Sequence, residues 1–244
     1  MDFRTYIIFL LILGVCAVFS AYASRKVHSS YAAFGEVSNR SRLTGYDTAV
    51  RLLKRGGVHD VSVERVRGKL TDHYNPRKEL VNLSESVYGE SSIAAVAVAA
   101  HEIGHVMQKK KGYLPYKLRA ALVPVANFGS RLALPLVLLG VLLDLFLVNA
   151  NADVGFWVAM VGVALYGAST LFMLVTLPVE LDASRRAKQM LLEENVLADD
   201  EIHGAEKVLR AAALTYVAAL ATSLVYFLRF LIWVLAMFGR RRRD

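Results

Sequence analysis

Cysteine is almost absent from this sequence. The single cysteine among 244 residues is Cys16, which lies inside an apolar stretch near the N-terminus. A disulfide needs two thiols and a thiolate zinc site needs several, so neither can form within this chain.

Charged residues are nearly absent from four long apolar stretches. These stretches cover residues 6–22, 132–149, 156–178 and 211–238. Asp144 and Arg229 are the only charges within them. A helix needs about 20 apolar residues to cross a bilayer core, and 55% of the chain is hydrophobic. The sequence therefore predicts a multi-pass membrane protein, and the scarcity of charges within its spans argues against a transporter.

The first and last of these stretches each allow an alternative. Residues 6–22 fit a retained membrane anchor because bulky side chains fill them, although their length also suits the apolar part of a signal peptide. Residues 211–238 either cross the membrane or consist of a buried core helix followed by a shorter embedded part. We therefore expect three or four full spans.

The segments between the apolar stretches differ in positive charge. The formal net charge is +8, but the basic residues are spread along the chain, so no nucleic-acid partner is expected. Residues 23–131 carry 18 Lys and Arg against 9 acids, whereas residues 149–155 carry no Lys or Arg. Because cytoplasmic loops are enriched in Lys and Arg, residues 24–131 are predicted on the cytoplasmic side. Four full spans would put the arginines at 240–243 on the other side, so residues 211–238 are the stretch least expected to cross completely. We interpret these arginines as contacts to anionic lipid headgroups.

Local patterns predict short elements around the apolar stretches. Residues 24–46 are expected to form a loop, and residues 113–131 an amphipathic piece with turns near Pro115 and Pro124. Pro178 is expected to begin a new polar helix. The other predictions are a helix from Thr44 or Asp47 to Gly56-Gly57, two or three short strands between Val58 and Leu83, and a helix from Ser92 to Lys110.

The helix from Ser92 to Lys110 carries the pattern His101-Glu102-Ile103-Gly104-His105. Histidines four residues apart project from nearly the same helix face and can bind one zinc ion. Glu102 stays close enough to act as a general base toward a zinc-activated water. The rest of the helix is small and apolar, where two buried imidazoles without partners would be destabilising. Metal binding is therefore favoured over ordinary core histidines.

A catalytic zinc site needs a third protein ligand from elsewhere in the chain. Glu180 follows the third apolar stretch and is the favoured candidate. Asp182 is the competitor, since it lies two positions further on and points to a different helix face. The alternative for Glu180 is a purely electrostatic role at a helix N-terminus.

Four segments carry a resemblance to a known family. They are Leu70-Thr71-Asp72-His73-Tyr74-Asn75-Pro76, the segment from Ala99 to Gln108, Leu177 to Ala187, and Ala211 to Ala219. In these segments the chain resembles the YugP-like family of neutral zinc metallopeptidases, which is related in layout to HtpX and CAAX-prenyl-protease enzymes. The resemblance spans nearly the whole chain. It implies zinc on His101, His105 and Glu180, with Glu102 as the base and peptide bonds as the substrate.

One position departs from the HtpX-type pattern. There an Asp follows the ligand Glu by four residues and supports a metal-binding histidine, but here that position is Ser184. Asp182 is one candidate for this supporting role. Candidates for stabilising the oxyanion are His73, Tyr74, Arg185 and Arg186. The predicted strand from Glu79 to Leu83 is a candidate edge for pairing with an extended substrate.

We therefore expect a mainly α-helical, gluzincin-like integral membrane protein with a small β-sheet beside the HExxH helix. Its expected function is that of a zinc endopeptidase acting on membrane-associated proteins or peptides. An inactive metal-binding scaffold is the alternative, followed by a transporter. The expected regions are an anchor at 1–23, a metallopeptidase region at 24–131, a transmembrane hairpin at 132–178, a third-ligand region at 179–210, and an apolar helix with a basic tail at 211–244.

Overall fold

The computed structural model describes residues 3–146 and 153–241, without the side chains of Arg240 and Arg241. The predicted lipid contacts of the arginines at 240–243 therefore lie outside the described side chains. Within the described ranges the chain forms these elements: α1 Phe3–Gly35, α2 Gly45–Arg55, β1 Ser62–Val66, β2 His73–Asn75, β3 Leu80–Ser84, α3 Glu85–Tyr88, α4 Ile93–Lys110, α5 Leu114–Phe146, α6 Val154–Glu193 and α7 Ile202–Arg241.

Four of these helices, α1, α5, α6 and α7, are long and apolar enough to cross a membrane. The remaining elements are short helices and one three-stranded sheet. The chain is thus a mainly α-helical membrane protein with a small sheet, which confirms the predicted fold class.

The chain divides into two compact units. The apolar unit contains the described parts of Met1–Ala21, Leu118–Thr176 and Val217–Asp244. The mixed unit consists of Tyr22–Lys117 and Leu177–Tyr216. Each long helix contributes one part to each unit, so the single helix α7 contains both a core segment and an apolar segment.

The mixed unit is built around α4. This helix begins after Ser92, whose hydroxyl accepts a hydrogen bond from the backbone N–H of Ala95. Small residues cover most of its surface and are buried nearly all round, which lets neighbouring elements pack closely against it. The helix α2 packs against α4 and begins with a capping box between Thr44 and Asp47.

The sheet of the mixed unit has the strand order β1-β3-β2. The central strand β3 pairs in parallel with β1 and antiparallel with β2. Both edges of β3 are therefore occupied, and the prediction that Glu79 to Leu83 offers an edge to substrate is wrong. An added strand would have to pair with β1 or β2 instead.

The apolar unit is held together by close helix packing. A Cβ atom on Gly140 of α5 would lie 2.4 Å from the carbonyl oxygen of Gly155 on α6. At Gly162 a Cβ would lie 2.6 Å from the carbonyl oxygen of Ala133. Small residues let the two backbones approach where apolar side chains gain little by leaving lipid. A hydrophobic cluster in this unit is formed by Val137, Ala159, Val163, Val234 and Phe238.

Three predicted breaks are replaced by continuous helix. Pro178 lies inside α6, and Pro124 lies inside α5. Proline removes one helical N–H, but the other hydrogen bonds of a long apolar helix remain and neighbouring side chains compensate. The expected loop at 24–46 is also wrong in its first part, because α1 continues to Gly35. Its last turns are held by tertiary contacts, including a 2.8 Å hydrogen bond from the Tyr31 hydroxyl to the carbonyl of Ser86.

Candidate metal centre

The two histidines of the motif lie one turn apart on α4, inside the mixed unit. Their ring centroids are 4.8 Å apart and the rings are nearly perpendicular. The side chain of His101 is 14% exposed and that of His105 is 10% exposed. This arrangement follows from the helical repeat, which stacks residues four apart on one face.

Glu180 reaches the same point from α6. Its Oε2 atom lies 3.3 Å from His101 Nε2 and 3.4 Å from His105 Nε2. The residue is only 2% exposed. Ligand atoms of the three side chains all lie within 4.8 Å of one another, so the group can hold a metal ion. Two imidazoles and a carboxylate are a donor set typical of catalytic zinc sites with an open position for water.

Gly104 allows α4 and α6 to meet at this point. A Cβ atom on Gly104 would lie 2.6 Å from the carbonyl oxygen of Ala183 and 3.1 Å from its Cα atom. Because these neighbours are backbone atoms, they cannot rotate away as a side chain would. The middle of the motif therefore sets how closely the helix carrying Glu180 approaches the histidines.

Glu102 lies next to His101 and is 8% exposed. Burial raises the pKa of its carboxyl group to about 7, although the nearby His101 and a backbone hydrogen bond from Tyr74 act in the opposite direction. The hydrogen bond places the edge strand β2 beside this carboxyl group. Glu102 thus accepts a proton more readily than an exposed glutamate does.

Each histidine has a different partner on its second ring nitrogen. His101 Nδ1 lies 3.2 Å from the hydroxyl oxygen of Ser184, the residue at the position where the HtpX-type pattern has Asp. His105 Nδ1 lies 3.0 Å from Oε1 of Gln108. Gln108 is the last residue of one of the four family-like segments, but the sequence predicted no role for it. The signal in the sequence was a polar residue three positions after His105 on a helix whose body is mostly small and apolar.

Asp182 does not join the three-residue group. Its carboxylate instead accepts hydrogen bonds from Gln108 at 2.9 Å, from Arg186 at 2.6 Å, and from Arg185. The side chain is 5% exposed. Asp182 is therefore linked to His105 through Gln108. Ser184 contacts the other histidine, His101.

The other predicted oxyanion candidates make contacts of their own. His73 is exposed, and its Nδ1 lies 2.8 Å from the carbonyl oxygen of Thr71. The Tyr74 hydroxyl donates to Glu79, and burial together with that carboxylate raises the pKa of the tyrosine. The structure therefore brings the backbone of β2 to Glu102, while these two side chains make their own contacts elsewhere.

Comparisons with known proteins agree with this geometry. A family model described as "Putative neutral zinc metallopeptidase" matches residues 7–235. The "Putative membrane protease YugP" of Bacillus subtilis (strain 168) is 45% identical over 211 residues, which cover 86% of this chain and 89% of that protein. No solved structure matches the chain significantly. The family match and the identity across most of both chains confirm the predicted resemblance: the chain belongs to the neutral zinc metallopeptidase family.

Proposed function

We propose that this protein is a membrane zinc endopeptidase in which His101, His105 and Glu180 hold the metal and Glu102 is the general base. One observation carries the proposal: ligand atoms from two helices converge within 4.8 Å, beside a buried glutamate. The chain's membership in a zinc peptidase family supports zinc as the metal and a protein or peptide as the substrate.

The side chains divide the chemistry between them. When bound, zinc lowers the pKa of a water molecule and polarises the scissile carbonyl. Glu102 accepts a proton from the attacking water and passes it to the leaving amine as the C–N bond breaks, so that the proton is conserved. The low exposure of Glu102 and Glu180 keeps bulk water from competing at these carboxylates.

The proposed substrate is a membrane-associated protein or peptide, cleaved on the cytoplasmic side. The four apolar helices support a site held at a membrane, and the excess of Lys and Arg in residues 23–131 supports the cytoplasmic side. In a Cys16→Ala background, modification of single cysteines introduced at the exposed residues Arg77 and Glu90 tests sidedness. Labelling of these cysteines by a membrane-impermeant thiol reagent in intact cells would contradict the proposed cytoplasmic location.

Metal content and proteolysis, measured on the purified full chain, test the assignment together. Glu102→Gln is expected to keep stoichiometric zinc and to lose about 10²–10⁴-fold in hydrolysis of an unstructured protein. His101→Ala, His105→Ala and Glu180→Ala are each expected to lose zinc as well. Glu85→Gln, on an exposed carboxylate of the same unit, is the matched control.

Two results would contradict the assignment in different ways. If the Glu102→Gln variant kept full proteolytic activity, Glu102 could not be the general base. Stoichiometric zinc without turnover in the wild type would favour the inactive scaffold, because metal would then be bound for a structural purpose. Zinc retained in Glu180→Ala would require a different third ligand.

A further inference from the structure

Gln108 is a completely buried amide on the metal-binding helix. Its side chain is 0% exposed, although glutamine is usually found at the surface. Its Oε1 atom lies 3.0 Å from His105 Nδ1. Its Nε2 atom donates to the carbonyl oxygen of Val179 at 2.7 Å and to Asp182 Oδ2 at 2.9 Å. Both N–H groups and the carbonyl oxygen of the amide are therefore in use.

These contacts fix the direction of the amide. A backbone carbonyl oxygen and a carboxylate oxygen only accept hydrogen bonds, so the NH₂ group of Gln108 must face Val179 and Asp182. Rotating the amide by half a turn would place Oε1 against two acceptors. The contact to the Val179 carbonyl oxygen is enough to set this orientation, and Arg185 and Arg186 hold the Asp182 carboxylate beside it. Oε1 is therefore the atom that faces His105.

The direction of the amide in turn fixes the imidazole. Because Oε1 can only accept, His105 Nδ1 must carry the proton in this hydrogen bond. A neutral imidazole protonated on Nδ1 has its lone pair on Nε2. That nitrogen is the one that lies 3.4 Å from Glu180 Oε2, inside the metal group.

We infer that Gln108 is a positioning residue of the metal centre: it holds His105 in the tautomer that presents Nε2 to the metal, and it ties His105 to the turn of α6 that carries Glu180. Its two acceptors, Val179 and Asp182, lie on either side of Glu180 in sequence. One side chain thus orients two proposed ligands. The inference rests on the proposed function, because it takes His105 and Glu180 as ligands.

The other histidine is held by a less directional contact. The Ser184 hydroxyl that lies 3.2 Å from His101 Nδ1 can donate or accept, so it does not select a tautomer. The loss of Gln108 is therefore expected to affect the metal site more than the loss of the Ser184 hydroxyl. Asp182 contributes through Gln108, as an acceptor that orients the amide.

Zinc and cobalt titrations of the full chain in detergent test the inference. Gln108→Leu is expected to weaken zinc binding about 10–100-fold. The visible absorption of bound cobalt, which reports coordination geometry, is expected to change. Gln108→Glu keeps an acceptor for His105 but sets an oxygen against the two acceptors on α6, Val179 and Asp182, so it is also expected to weaken zinc binding. Ser184→Ala is expected to weaken zinc binding less than Gln108→Leu.

Asn39 offers a matched control for the loss of a buried amide. It is 1% exposed, and its Nδ2 donates to the carbonyl oxygens of Leu43 and Ser91 at 2.9 and 2.7 Å. Asn39→Leu is expected to lower the melting temperature while leaving zinc affinity and the cobalt spectrum of the folded protein unchanged. If Asn39→Leu and Gln108→Leu weakened zinc binding equally, Gln108 would have only a structural role.

Substitutions of Gln108 and Asp182, made singly and together, distinguish a positioning role from direct ligation of the metal. If Asp182 acts through the amide, Asp182→Ala weakens zinc binding in the wild type but has little further effect in Gln108→Leu. Equal losses in both backgrounds would overturn the inference by making Asp182 independent of Gln108. A wild type that bound no zinc would instead contradict the proposed function, and tight zinc binding in Gln108→Leu with an unchanged cobalt spectrum would contradict the positioning role alone.

Discussion

The apolar unit and the mixed unit both pack helices closely through glycine, but they bury different kinds of polar side chain. In both units a glycine lets one backbone contact another, at Gly140 in the first and Gly104 in the second. Among the described residues of the apolar unit, the buried polar side chains are Thr170 and Thr176. Among its described residues, the mixed unit buries carboxylates, an imidazole, two amides and several hydroxyl groups.

The buried polar groups also differ in how they are satisfied. Thr176 donates to the carbonyl of Phe172 within its own helix, and Thr170 contacts Ser223 at 2.9 Å. In the mixed unit, His101, His105 and Glu180 direct ligand atoms toward one another. Buried lone pairs are unfavourable unless a donor or cation satisfies them. Close packing alone makes a membrane scaffold, whereas converging acceptors mark a site.

The largest effect is expected when the glycine at the metal site is filled. In Gly104→Ala the new methyl group would press on the backbone of Ala183, 2.6 Å away. Overpacking of this kind lowers the free energy of unfolding by about 1–3 kcal/mol. Because Glu180 is on the displaced helix, zinc affinity is also expected to fall. Thermal unfolding in detergent and zinc titration measure the two effects, and undiminished zinc affinity would show that the helix spacing does not set the site.

The matched substitution in the apolar unit is Gly140→Ala. Its methyl group would lie 2.4 Å from the carbonyl oxygen of Gly155, so a similar loss of about 1–3 kcal/mol in the free energy of unfolding is expected. Here the folded protein is expected to bind zinc as tightly as the wild type, because all three proposed ligands belong to the other unit. Weakened zinc binding in this variant would show that packing in the apolar unit also affects the metal site.

The sequence predicted those parts of the molecule that local patterns determine. The predicted starts of α2 and α4, next to Thr44 and Ser92, are confirmed, as are the small sheet and the long apolar helices. Each of these depends on neighbouring residues or on a run of apolar side chains. The proximity of His101 to His105 likewise follows from four-residue spacing on one helix.

The sequence could not predict features that depend on distant contacts. The helix α1 extends to Gly35 because residues far along the chain, such as Ser86, hold its last turns. Pro178 resembled a helix start, since proline favours that position, yet long apolar helices tolerate it. The network from His105 through Gln108 to Asp182 joins two helices, and no local pattern indicates which face of α6 meets α4.

A smaller effect is expected at the start of α2, in the mixed unit but outside the metal group. The Thr44 hydroxyl accepts a hydrogen bond from the backbone N–H of Asp47 at 3.1 Å. Removing it in Thr44→Ala is expected to lower the free energy of unfolding by about 1 kcal/mol. Thr44→Ser keeps the acceptor and serves as the control. Zinc affinity is expected to stay unchanged in both variants. A loss of affinity would show that the metal site also depends on α2.

The smallest effect is expected in the pH dependence of stability, and it concerns Asp72. Burial raises the pKa of this carboxyl group above its ordinary value, while hydrogen bonds from the backbone N–H and hydroxyl of Ser84 offset part of that rise. The folded state thus binds the proton more tightly than the unfolded state does. This contribution to stability is complete below the unfolded pKa and is lost as pH rises through the folded pKa.

Asp72→Asn isolates this contribution, because the asparagine carbonyl can still accept from Ser84 but does not titrate. The melting temperature of the wild type relative to Asp72→Asn is expected to be highest at acid pH, to fall as pH rises from about 4, and then to level off. Taking the difference between the two proteins cancels the titrating groups that do not interact with the charge of Asp72; Glu102 and Tyr31 do interact with it. A difference that rose with pH would mean that the hydrogen bonds to the ionised carboxylate outweigh its burial, and that this buried charge is fully satisfied by Ser84.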